Sequence, residues 1–113
     1  MGKAFKVAGQ AAPAANVSAN LYVVPAGASF VESTLSVCNQ SVTGEVAAYD
    51  IAIVPASDTL ASKHYIVFQK PLDSRDSKFL TLGFTLAAGD KVVVKSTSGS
   101  LSFSLFGAEI TTA

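Results

Sequence analysis

Along this chain apolar side chains recur at every second position, in short runs separated by turn-forming residues. A period of two puts one face of an extended segment in a core and the other toward solvent, whereas a helix would show a period near 3.6. The clearest instance is Leu80–Lys95: Leu80, Leu82 and Phe84 alternate, Lys91–Lys95 is valine-rich, and Leu86-Ala87-Ala88-Gly89-Asp90 lies between them. Read locally, Phe79–Phe84 and Lys91–Lys95 form a hairpin, with Gly89 supplying the positive φ of its turn. Leu21–Val24, Pro25-Ala26-Gly27-Ala28 and Phe30–Asn39 repeat the device, with Pro25 presetting φ at the first corner and Gly27 closing the turn.

The remaining segments follow the same grammar. In Phe30–Asn39 the alternation puts Val31, Leu35 and Val37 on one face and Glu32, Thr34 and Ser36 on the other. Glu45–Val54 sets Ala47, Tyr49, Ile51 and Ile53 against Ala48, Asp50 and Ala52, and Pro55 ends it by removing a ladder donor. Ala56–Ser62 reads as a loop with cap-type residues, and His64–Phe68 as a short strand. Gln69–Ser77, with Pro71, Lys70, Asp73, Arg75 and Asp76, reads as the most solvated loop. Leu101, Phe103 and Leu105 alternate with serines in a closing strand, and Gly107 suggests a bulge that transfers Phe106, Ala108 and Ile110 to the other face. Residues 1–15 begin with alternating Lys3, Phe5 and Val7 and pass into small residues with a proline, which predicts a flexible or extended N-terminal arm.

Seven or eight short strands at roughly ten-residue spacing, with no helical pattern of consequence, predict an all-β fold. The expected architecture is a single antiparallel β-sandwich over residues 16–113, jelly-roll-like, preceded by the arm. A chain of 113 residues is long enough for one such core without staples.

Composition changes the picture in one respect. Charged residues are 14% of the chain and apolar ones 50%, with a mean hydropathy of +0.43. Soluble domains carry about 25% charged residues, yet no run approaches the roughly 18 apolar residues of a membrane span. Self-association or docking on a larger assembly accounts for such a surface, because homo-oligomer interfaces are depleted in charge. A neutral exterior of Ala, Ser and Thr is the plainer alternative. With eight basic and eight acidic residues the formal net charge is zero, so no field gathers nucleic acid or anionic lipid.

Candidate chemistry is sparse. His64 is the sole histidine, which excludes a histidine-rich metal site of the cupin kind, and no Gly-x-Ser-x-Gly elbow surrounds any serine. Its expected place is at a strand end or in an interface hydrogen bond. Cys38 is the sole cysteine, expected as a small buried or half-buried strand residue. Asp73 and Asp76 share a loop with basic residues and read as a solvated charge cluster. Asn16-Val17-Ser18 and Asn39-Gln40-Ser41 fit the glycosylation pattern, but the N-terminal residues form no hydrophobic signal core. The aromatic residues are spread over all strands and read as core. The expectation is no catalytic, cofactor-binding or metal-binding residue, no cofactor and no enzymatic activity.

Leu21-Tyr22-Val23-Val24-Pro25-Ala26-Gly27, Leu35-Ser36-Val37-Cys38-Asn39-Gln40-Ser41, Lys63-His64-Tyr65 and Thr81-Leu82-Gly83-Phe84-Thr85-Leu86-Ala87-Ala88-Gly89-Asp90 together resemble small virion structural proteins of tailed bacteriophages, of the capsid cement or decoration type. The resemblance spans about residues 20–108 and rests on turn and strand grammar. It implies a β-sandwich made in the host cytoplasm that forms a homo-oligomer, as a trimer, and binds the major capsid protein on the virion surface. It carries over no catalytic residue and includes tail components as well as head ones. The alternative is a tail or receptor-binding module with carbohydrate affinity. Phe5 and Val7 are the candidate anchors of the arm, with an exposed sandwich face beside them.

Overall fold

The structure, a computed structural model, describes residues 2–111. Met1, first residue of the expected arm, lies outside them, as do Thr112 and Ala113. Among the described residues there are nine strands: β1 (Gly2–Ala11), β2 (Ala19–Val23), β3 (Ala28–Asn39), β4 (Ala47–Val54), β5 (Tyr65–Leu72), β6 (Ser77–Leu80), β7 (Thr85–Leu86), β8 (Lys91–Ser96) and β9 (Leu101–Thr111). Sheet A has the order β1-β9-β3-β6, with β7 also on β3, and sheet B the order β2-β8-β4-β5. Every pairing is antiparallel. Only β4 and β5 are both consecutive in sequence and hydrogen-bonded to each other; nearly every other connection passes from one sheet to the other, which is jelly-roll wiring of a β-sandwich.

The alternating residues meet between the sheets. Phe30, Leu35 and Val37 of β3 and Phe103 and Leu105 of β9 pack against Tyr49 and Ile51 of β4 and Val92 and Val94 of β8, and all nine are buried. Tyr49 meets Phe103 edge-on at 6.2 Å and Tyr22 meets Phe30 at 4.8 Å, the tilted geometries that ring quadrupoles favour.

Both expected hairpins are corrected. β2 pairs with β8, and β3 with β9, β6 and β7, so the Pro25-Ala26-Gly27 turn carries the chain from sheet B to sheet A. Likewise Ala87–Asp90 carries it from β7 in sheet A to β8 in sheet B. The turn chemistry itself is as read: Gly27 has φ 78° and Gly89 has φ 85°. The Asp90 carboxylate accepts the Ala87 N–H at 2.8 Å, and the two turns are laced together by Val24 N–H to Asp90 O and Gly89 N–H to Val24 O.

Three local readings shift as well. In β3, Ser33 has no residue opposite it, since Glu32 faces Gly107 and Thr34 faces Phe106. This bulge reverses the phase, so Glu32 is buried at 4% exposure while Val31 points outward at 39%. Residues 69–72, expected in a loop, extend β5 with Pro71 opposite Ala48; β5 is an edge strand, where a proline removes no ladder donor. Finally, β9 has no bulge at Gly107. Phe106, Ala108 and Ile110 reach the outer face by unbroken alternation, and the irregularities lie in its two neighbours, at Ser33 of β3 and Ala8 of β1. Gly107 points inward, where a Cβ would lie 2.3 Å from the Val31 carbonyl oxygen and 2.5 Å from the Phe30 ring.

Residues 2–11 run the full length of β9 as the edge strand of sheet A. Residues 2–7 are exposed while Ala8, Gly9 and Ala11 are partly covered, so the strand is gripped at its C-terminal half.

Candidate interaction surface

The two outer faces of the sandwich differ. On sheet B, Ala52, Val54 and Val93 are covered by the chain's own excursion between β4 and β5, with Leu60 and Tyr65 packed on them. His64 fastens that excursion. Its Nδ1 accepts the Ala61 N–H at 2.9 Å, and its Nε2 then donates to Asp58 Oδ2 at 3.1 Å. A carboxylate therefore lies within reach of the sole histidine, but both ring nitrogens are spent on holding a 3-10 turn, Ser62–His64, at the head of β5. Sheet B also carries charge outward: Lys95 lies opposite Asp50, whose carboxylate accepts the Gln69 N–H at 2.7 Å and so pins the β5 bulge.

Sheet A has no such cover among the described residues. Its register places Lys3, Phe5 and Val7 of β1, Phe106, Ala108 and Ile110 of β9, and Val31 of β3 on the outer face at one end. Toward the other end come Gln10, Ser104, Ser36 and Phe79, then Ser102, Cys38 and Ser77. Phe5 is 81% exposed, Phe79 69% and Val7 52%. Lys3 is the one charged residue at the strand positions of this face, and its ammonium stands 5.6 Å from the Phe5 ring centroid, a cation–π distance. Cys38 is half-buried here, as expected of a strand thiol.

Two shallow hollows lie on the same face. One of about 320 Å³ is lined by Phe5, Lys6, Val7, Ser33, Phe106 and Gly107. The other, about 410 Å³, is lined by Gln10, Gln40, Ser102 and Ser104 among others; its one ring, Phe103, is fully buried and offers no stacking surface to a sugar. His64 lines neither.

The inner edge of the apolar end is held by charge. Glu109 accepts the Tyr22 hydroxyl at 2.5 Å and the Lys6 ammonium at 3.1 Å, linking β2, β9 and β1. The Tyr22 hydrogen bond, with the Lys6 bond second, holds the Glu109 carboxyl below the usual carboxylate range. Burial, then Glu109 itself, pushes the Tyr22 hydroxyl up. At the far edge of sheet A, Glu32 Oε1 accepts the N–H groups of Leu82 and Gly83 at 3.0 and 2.7 Å, fixing the segment between β6 and β7. These two buried-side carboxylates carry no mark in the sequence, where Glu109 and Glu32 sit in ordinary strand patterns.

The other singled-out residues are structural in placement. Asn39 is fully buried; its Nδ2 donates to the Glu45 and Leu72 carbonyls and its Oδ1 accepts the Ser41 N–H, so the glycosylation pattern there is inaccessible. Asp73 and Asp76 shape the turn before β6, with Asp76 N–H donating to Asp73 O and the Asp76 carboxylate accepting the Ser77 N–H. Among the described residues no three His, Cys, Asp or Glu side chains converge as metal ligands would.

No protein-family model matches the chain, and no curated protein matches it significantly. Solved structures with a similar outline include one of infectious bursal disease virus, Gx strain, at 16% identity and TM-score 0.44, covering 95% of this chain and 30% of that one. Two crystal structures of a pentameric capsid protein isolated from metagenomic phage sequences align at 14% and 15% identity and TM-scores of 0.35 and 0.36, each covering 96% of this chain and 65% or 64% of theirs. The chain spans less than two thirds of the length of each. Likeness at that level carries no argument about function, and the sandwich assignment rests on the strand order.

Proposed function

We propose that this protein is a structural component of a virion, a cement or decoration subunit that associates with copies of itself and binds the major capsid protein on a bacteriophage head, stabilising the shell. The observation that carries the reading is the outer face of sheet A: exposed, apolar at one end, lined at the other by hydroxyls with Gln10 and the exposed Phe79, and bearing one charge, Lys3, at its strand positions. A lone domain gains solubility from charge on such a face, whereas a face that is covered in the working state is better without it. Residues 1–15 act as the arm in this reading. Residues 2–7 lie at the sheet edge with little burial of their own, and Phe5 and Val7 are the anchors. Cementing of this kind needs no tight single contact, because many copies on a repeating shell add through effective concentration.

The test is binding of the purified protein to heads assembled without it, followed by thermal challenge of the shells. Saturable binding that raises the temperature of shell rupture is the expected result. Absence of binding, or binding with rupture unchanged, refutes the reading; binding of the isolated domain to glycans in its place favours the receptor-binding alternative.

A further inference from the structure

We infer that the outer face of sheet A packs against the same face of a second copy across a twofold axis running along the strands. The inference rests on the proposal that this face is a contact surface, and names what covers it. β1, β9 and β3 are 10, 11 and 12 residues long. Four strands about 4.8 Å apart with a rise near 3.3 Å per residue give a flat face of ~600 Å², before side-chain relief is added. A stable interface buries roughly 600 to 1,000 Å² per partner. The face is therefore large enough alone, and no further surface has to be recruited.

Its pattern matches itself under that axis and under no crosswise one. A twofold along the strands keeps each level opposite its own level while exchanging the edges. The Phe5–Ala108–Val31 and Val7–Phe106–Thr34 levels then meet their own equivalents; at the Gln10–Ser104–Ser36–Phe79 level the edge exchange sets Ser104 against Ser36 and the exposed Phe79 ring against Gln10, and Ser102 meets Cys38. An axis across the strands would set the apolar levels against the serines. Packing of two such faces with strands nearly aligned is the ordinary geometry of stacked sheets. Charge agrees. Lys3 is on the edge strand, so the two copies' ammonium groups fall at opposite edges, three strand spacings or ~14 Å apart, beyond a screening length of ~8 Å. No carboxylate on this face calls for a basic partner, and a formal net charge of zero leaves the copies free of mutual repulsion. Isologous contacts of this kind are the commonest among oligomers.

Sedimentation equilibrium of the intact chain tests this, with Phe5→Glu and Val31→Lys on the face and Ile66→Glu as an exposed control on β5. Wild type is expected to associate in even numbers. Each face substitution occurs twice in a symmetric pair and is expected to weaken association about a hundredfold, while Ile66→Glu leaves it unchanged. Thermal melts establish that each variant is folded; Phe5 is mostly exposed, so its replacement leaves the core alone. A wild-type monomer at the highest soluble concentration overturns the inference, as does a trimer or other oligomer that withstands both face substitutions. If heads still bind that monomer and are stabilised, the capsid-binding part of the proposed function stands, its self-association falls, and the shell itself covers the face.

Discussion

Gly9→Ala tests how the edge strand is held to the sandwich. Gly9 sits where β1 of sheet A approaches β2 of sheet B, and a Cβ there would lie 1.9 Å from the Leu21 carbonyl oxygen and 3.0 Å from its carbon. Both are backbone atoms, so no rotamer change relieves the clash. A carbon–oxygen contact needs about 3.2 Å, so the strands must part by roughly 1.3 Å, a distortion in the range of ~1–3 kcal/mol for overpacking. The easiest relief is movement of β1, whose residues 2–7 bury little surface. We expect a loss of about 2 kcal/mol, seen as a melting temperature lower by roughly 8–10 °C for a domain of this size. Hydrogen exchange should lose protection in β1 while β4 and β8 keep theirs. Gly27→Ala is the control: a Cβ there meets nothing within 4 Å, but φ is 78°, so its cost of about 1 kcal/mol comes from backbone conformation alone. A Gly9→Ala protein within ~0.5 kcal/mol of wild type, or one whose protection falls evenly throughout, would refute the reasoning.

Three further outcomes are expected. Asn39→Ala strands the buried Leu72 carbonyl, the part-buried Glu45 carbonyl and the buried Ser41 N–H, and chemical denaturation should show a loss of about 3 kcal/mol. Glu109 is held below the usual carboxylate range when folded, whereas the unfolded chain releases its proton near pH ~4.3. The stability it adds is therefore complete above that pH and disappears as pH falls through the lowered value; Glu109→Gln should flatten that part of the stability curve while lowering stability at neutral pH. His64→Ala removes the clasp on the excursion over sheet B, so limited proteolysis should cut within residues 56–63 faster than in wild type, with β3 and β9 intact.

The strands were legible because alternation is a one-dimensional property: β2, β4, β8 and β9 fall where the period of two places them. Pairing was not. Gly27 and Gly89 take the conformations their turns require, but a tight turn that returns to the same sheet and one that crosses to the facing sheet use the same residues. Only long-range packing distinguishes them. Phase was lost at Ser33 for a similar reason, since a bulge is defined by the partner strand and not by its own sequence. The outer face of sheet A was half legible. Phe5 and Val7 stood out in an otherwise small-residue arm, whereas Val31 and Phe79 read as core until the register turned them outward. The available signal was in β9, where inward Leu101, Phe103 and Leu105 are followed by outward Phe106, Ala108 and Ile110, so that the strand carries apolar side chains on both faces.

Cys38, the sole thiol, lies half-buried on the outer face of sheet A and reports directly on whether that face is covered. The decisive measurement is its alkylation rate over a dilution series of the purified protein and again on protein bound to heads. Rapid labelling is expected in dilute solution and strong protection on association or on the shell, with Phe5→Glu abolishing the protection in free protein and returning labelling to the dilute rate. A rate that is the same at every concentration and on the head would contradict it.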